Sequence, residues 1–482
     1  MSSPVIMSQE QIQVLNADKN SYRPQTNKAR VLSGNVIIEH QGAMLYCDKA
    51  YYYDTANMAK AFGHVQINRA DTLNIYGDTI YYEGNTKKAT VFGNVKLVDD
   101  NSILRTPSLH YNLDSNIAYY NNGGFMTDMH TGDTLISDQG VFYGNKSEIE
   151  FTGNVYYKNE NYTIISDKMS YNTDEGKIYY KGPTTIVSDE NTIYCEKGWY
   201  DTRNNISSFS GNSEIHSNDQ LIKGDSIYYN RQNGEGEIFG NLSIRDSVNK
   251  VKITGGYGKY NEKEGRYQVT QNPILEKYND LDTLFLKADT IFADIDTINN
   301  QNSILAHRHV QFMQGQLYGK CDSLYYNESD SVLNMFYDPV LWQDSSQLSS
   351  DTIFIRIFDG LIQKLDMKNH AMIVSQVDSI KYNQISGKNM YGFFSENNLQ
   401  TVRVIGNGQT VYYTENDTGE IIGMDYSICS DIRIQLNEDK IEKIVFINSP
   451  TSTMYPIDKV PEDKKILKGF KWRIAEKKKI IF

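Results

Sequence analysis

Proline is scarce in this 482-residue chain, at 9 residues, and cysteine scarcer, at 4. No run of 18 apolar residues occurs, which excludes a membrane-spanning helix. Sustained 3.6-residue apolar periodicity is missing as well, so a helical body is excluded. The start, MSSPVIMSQEQIQVLNADKN, lacks a charged segment followed by an apolar core, so no signal peptide is visible. Taken literally this means cytoplasm; a trimmed export signal or a misplaced start reads the same way. The net charge of −12 argues against a generic nucleic-acid or anionic-membrane surface. Neither a GxSxG elbow nor an HExxH pair occurs, and Gly234, Gly236 and Gly240 lead into a strand-like segment rather than a helix N-terminus, so they form no phosphate loop.

Tyrosine is abundant instead, at 36 residues, which with many Asn, Asp, Ser and Thr suits strands joined by turns. The chain repeats. A Gly-Asn-Val step stands at Gly34, Gly93 and Gly153, with variants at Gly63, Gly211 and Gly240 and looser versions at Gly123 and Gly182, so the spacing is 29 or 30 residues. About fifteen residues later comes Asp, any residue, an apolar residue, any residue, Tyr: Asp48 to Tyr52, Asp78 to Tyr82, Asp167 to Tyr171, Asp225 to Tyr229, Asp322 to Tyr326. Beyond about residue 270 the steps loosen, near Asn272, His309, Asp338, Asn369, Gly406 and Asn448.

Alternate residues of a strand point to opposite faces. After each step the apolar positions alternate: Val36 and Ile38, Val65 and Ile67, Val95 and Leu97, Val155 and Tyr157, Leu242 and Ile244. Ile37, Gln66, Lys96, Tyr156 and Ser243 stand between them, so one face is apolar and the other mostly polar, as in a half-buried antiparallel sheet. Each repeat reads as two or three short strands, with Gly bending the chain between them. Stacked repeats give an elongated body with an apolar stripe along its axis.

Catalytic chemistry is not expected. Carboxylates recur once per repeat, as turn or strand-start caps, whereas acid–base catalysis needs one special constellation. Cys47, Cys195 and Cys321 are substitutions at one repeat position, too far apart for a disulfide, and Cys429 adds no metal-like spacing. His307 and His309 share a strand face, yet no acidic or Cys partner is identifiable nearby, so no metal and no cofactor is assigned. The segment Lys464–Lys479 is basic, with Phe470 and Trp472 between its lysines; it reads as a solvated, partly disordered end, the alternative being a membrane-surface or partner-docking tail.

The segments VLSGNVIIEH, VFGNVKLVDD and FTGNVYYKNE, with GDTIYY, GDSIYY and CDSLYY, resemble the OstA-like, LptA-type family of lipopolysaccharide transport proteins over about residues 28–450. The resemblance implies an all-β, antiparallel β-jellyroll ("β-taco") stack of about 30 residues per repeat. It also implies a periplasmic location, associated with the outer membrane, and a non-enzymatic role sheltering lipid A acyl chains in an apolar groove. Partners implied are lipopolysaccharide, other transport components through edge strands, and further copies of the chain head to tail. Candidate lining residues are Val36, Ile38, Val65, Ile67, Val95, Leu97, Val155, Tyr157, Leu242 and Ile244. Alternatives are a parallel β-helix serving as adhesin or polysaccharide-active enzyme, and an envelope spacer without ligand. Four segments follow: 1–27, flexible or a remnant of an export region; 28–270, regular repeats; 271–455, less regular repeats; and 456–482, a basic tail.

Overall fold

The computed structural model describes residues 11–22, 28–69, 73–99, 102–189, 191–217, 219–278, 282–296, 301–358, 361–396, 398–416, 418–437 and 440–482. Two compact units are present, Met1–Asn218 with Ser226–Gln232, and Asp219–Asp225 with Asn233–Phe482. Both are all-β with antiparallel registers, as expected for a β-jellyroll, and antiparallel pairing removes the parallel β-helix. Of the expected N-terminal segment, Gln13–Asn16 and Lys19–Tyr22 are short strands on Arg30–His40, while residues 1–10 and 23–27 lie outside the described residues.

The strands are longer than the expected short ones. Arg30–His40, Ala43–Tyr53, Met58–Arg69 and Leu73–Glu83 run 11 or 12 residues each. The Gly step lies inside these strands rather than between them. Gly34 and Asn35 both have positive φ, 75° and 45°, and together oppose one residue of the neighbouring strand, a β-bulge that kinks the strand at its middle. The same doublet recurs at 93–94, 153–154, 240–241, 308–309, 369–370 and 406–407. At Gly123 and Gly182 the strand is interrupted instead, into Ile117–Tyr120 and Gly124–Asp128 and into Lys177–Tyr180 and Thr184–Ser188.

The recurring acids hold these kinks. Asn94 Nδ2 donates to Asp78 Oδ2 at 2.9 Å, Asn154 to Asp138 at 2.8 Å and Asn241 to Asp225 Oδ1 at 2.9 Å. At these three steps the turn-capping reading is corrected: the carboxylate bonds the second residue of the step sixteen positions on. A histidine takes that place at 309, where Nδ1 lies 2.8 Å from Asp289 Oδ2, and at 370, 3.0 Å from Asp351. His309 thus has the acidic partner that sequence failed to find, and its role is to hold a kink. Among the described residues no cluster of three metal-ligating side chains occurs.

Every kink folds one strand into two arms, and the arms close over a shared core. In the first unit that core takes Leu32, Ala50 and Tyr52 from the arm preceding the step and Val36, Ile38 and Leu45 from the arm following it.

Candidate functional site

The interior of the first unit is built from two cross-strand rows. On the arm after the step, direct register partners run Ile38, Leu45, Ile67, Ile75, Leu97, Leu104, Met126, Leu135, Tyr157, Ile164, Ile186, Ile193 and Ile215 without a polar interruption other than the Tyr157 hydroxyl. With strands about 4.8 Å apart, thirteen rungs make a row of roughly 58 Å. On the opposite arm a second row alternates large and small: Tyr52, Ala59, Tyr82, Ala89, Tyr111, Ala118. That alternation lets rings from one rung lie over the small side chain of the next, which explains why Tyr recurs four places after each acid.

Of the candidate lining residues, Val36, Ile38, Val65, Ile67, Val95, Leu97, Val155 and Leu242 are buried, whereas Tyr157 and Ile244 are half-buried. The first six share one core. Leu242 and Ile244 belong to the second unit. The row is buried from Ile38 to Leu97 and half-buried at Met126, Tyr157, Ile186, Ile193 and Ile215; between Leu97, Leu104, Leu109, Met126, Phe142 and Phe151 lies a cavity of about 30 Å³, room for a water molecule and not for an acyl chain.

Sequence reasoning missed how the two arms meet at their tips. The Tyr52 hydroxyl donates to the Ile12 carbonyl at 3.0 Å. His40 Nδ1 and the Tyr82 hydroxyl stand 2.5 Å apart. Arg69 donates to the Tyr111 hydroxyl at 2.9 Å and to the Leu113 carbonyl at 2.8 Å. In each case a tyrosine of the alternating row reaches across to the other arm about forty residues away, so the mouth of the jellyroll carries a line of polar latches. Burial pushes the Tyr52 and Tyr82 hydroxyls above their ordinary range, which keeps them neutral and able to donate. The signal was present in the recurrence of Tyr; nothing local announced Arg69 or His40 as its partners.

The cysteines are inert. All four are buried and free, and burial pushes Cys47 up to about 11 and Cys195 and Cys321 up to about 12.

The basic C-terminal segment corrects the expectation of a solvated, partly disordered end. It crosses the strands of the second unit on the face opposite that unit's main core. That face carries an apolar row, Tyr318, Trp342, Val374, Val411 and Tyr426, in which Gln347 and Gln384 also stand. Gln384, fully buried, donates to the Lys465 carbonyl at 2.8 Å and accepts from the Leu467 N–H at 2.9 Å. Gln347 does the same for the Lys471 carbonyl and the Arg473 N–H, both at 2.7 Å. Each glutamine amide thus substitutes for a strand backbone, pairing with residues i and i+2 of the crossing segment. Leu467 and Ile480 are buried beneath it, and Phe470 and Trp472 pack against Tyr382 at 5.2 and 5.3 Å between ring centres. At the far end Arg473 and Lys320 flank Glu476, at 2.8 and 2.5 Å, and hold its carboxyl down at about 2.

These features define an antiparallel β-jellyroll repeat protein with a long apolar interior. An OstA-like protein family model matches residues 9–167 and 127–225, and a model described as LptA/(LptD N-terminal domain) LPS transport protein matches residues 192–361. Together these matches place residues 9–361 in the OstA-like, LptA-type family of lipopolysaccharide transport proteins. A solved structure of LptH, the LptA-homologous periplasmic component of the lipopolysaccharide transport device of Pseudomonas aeruginosa, is 13% identical, covering 29% of this chain and 92% of that one at a TM-score of 0.22, an overlap too slight to bear on the fold. No curated protein matches the sequence.

Proposed function

We propose that this chain is a non-enzymatic periplasmic carrier that shelters the acyl chains of lipopolysaccharide between its two arms on the way to the outer membrane. The observation that carries the reading is the interior row from Ile38 to Ile215, apolar but for the Tyr157 hydroxyl. Its rungs are near-equivalent, so a chain moving along it gains at the next rung about what it leaves behind, and direction is supplied from elsewhere. Where the row is buried, from Ile38 to Leu97, entry requires the arms to part. Each latch bond is worth about 1 kcal/mol net, and each methylene transferred from water to an apolar setting returns roughly 0.8 kcal/mol. A few methylenes therefore offset the latches, and the protein's own side chains keep apolar neighbours when the lipid replaces the facing arm. The acidic body leaves lipid phosphates in water at the mouth. Gln13–Asn16 in the first unit and Lys440–Ile447 in the second, each paired with one strand among the described residues, offer backbone edges to other transport components or to further copies.

The close burial of the row from Ile38 to Leu97 favours a second reading, an envelope spacer with the same fold and no ligand. Photo-crosslinking in cells separates the two. A crosslinker at Ile67 or Leu97 is expected to capture lipopolysaccharide, and one at the outward-facing Gln66 or Lys96 is not. Capture from the outward positions alone refutes the carrier; capture from none leaves the spacer.

A further inference from the structure

The segment from Ile457 to Phe482 carries nine basic and four acidic residues, a net +5, while the remainder of the chain carries −17. Its inward side is committed to packing: Leu467, Phe470, Trp472 and Ile480 meet the sheet, and Arg473, Lys464 and Lys465 pair with Glu476, Asp463 and Glu462. Its outward side is different. Lys468, Lys471, Lys478 and Lys479 are exposed and make no ion pair among the described residues. Two aliphatic side chains stand among them, Ile466 at 46% exposure and Ile481 at 72%. A segment anchored by two buried glutamines thus presents fixed lysines flanked by isoleucines.

We infer that this outward side is a docking surface for an anionic phospholipid bilayer, and that it sets which face of the second unit lies against a membrane. The lysines supply attraction to phosphate-bearing headgroups, roughly tenfold in binding for each one or two of them. The isoleucines choose the bilayer over a soluble polyanion, since only an acyl layer takes up their side chains. The strongly negative remainder is repelled by the same surface, so contact is confined to this one face. The inference stands independently of the interior carrying lipid.

The test uses the full chain and vesicles of phosphatidylcholine, alone or with about 30% phosphatidylglycerol. Co-sedimentation is expected only with the anionic vesicles and is expected to weaken steeply with added salt. Lys468→Glu, Lys471→Glu, Lys478→Glu and Lys479→Glu together should weaken it at least about tenfold, with thermal unfolding and Trp472 quenching unchanged. Ile466→Asp with Ile481→Asp, both at exposed positions, provides a second variant that should also weaken it while leaving heparin retention as in the parent. Equal sedimentation with neutral vesicles overturns the inference. So does full binding by either variant, or retention on heparin with no vesicle binding.

Discussion

Replacing Gly93 by Ala probes whether the kinks that fold each strand over the core depend on the acid ladder. Gly93 has φ of 75°, and a Cβ built there would lie 2.4 Å from Asp78 Oδ2. The left-handed conformation costs an L-residue about 1–2 kcal/mol. Relieving the overlap requires Asp78 to swing away and give up its 2.9 Å bond from Asn94, a further loss of about 1 kcal/mol. Gly93→Ala should therefore cost about 2–3 kcal/mol of local stability. With Asp78→Ala already in place the bond is gone and the space is free, so the same substitution should cost only the backbone part, about 1–2 kcal/mol. The double variant is then less destabilised than the sum by about 1 kcal/mol, near fivefold in the local opening constant. Hydrogen exchange resolved over residues 73–98 measures this directly. Simple additivity of the two substitutions would refute the claim that Asp78 and the step act as one unit.

Removing a latch, by Arg69→Met with Tyr111→Phe, should hasten hydrogen exchange at the arm tips near 69 and 111 and raise lipid crosslinking from Ile67; unchanged exchange would show that the mouth is held by packing alone. Glu476 has its carboxyl depressed from 4.5 to about 2, so its contribution to docking of the C-terminal segment is complete above the ordinary value and lost as pH falls through about 2. Acrylamide quenching of Trp472 should therefore rise between about pH 4.5 and pH 2, and Glu476→Gln should flatten that rise. His64 is shifted the other way, raised by its bond to Asp48, so its pairing is present below about pH 6.5 and fades as pH rises past the raised value; an NMR titration of His64 should move to the ordinary value in Asp48→Asn. Burial of all four thiols should leave the native chain unreactive toward a thiol reagent at pH 8, with four equivalents reacting after unfolding.

The regular part of the architecture was written in periodicity. Alternation of Val36 and Ile38 against Ile37 is a local property, and it placed these side chains on the inner face because a strand has only two faces. The phase of the steps survived even where Gly was lost, at Arg308, Asn369 and Asn448, which take φ of 64°, 58° and 61° in its place; at the first two of these steps the following histidine bonds the acid. The site was legible less evenly. Tyr157 and Ile244 follow the same alternation as Val36 but stand half-buried, since the alternation fixes a face and not the depth of cover over it.

By itself, then, the sequence determined the repeat, its antiparallel half-buried strands, the inward stripe and the isolation of its cysteines, all consequences of residue order over a few tens of positions; the jellyroll came with the family resemblance. Only the tertiary structure decided that kinks lie within strands, that the recurring tyrosines latch one arm to the other across about forty residues, and that the basic end is fastened across the second unit by Gln347 and Gln384. The physical reason is common to all three. Each depends on a hydrogen bond between groups distant in the chain, and a polar side chain carries no mark in the sequence of the partner it will find once the arms have closed.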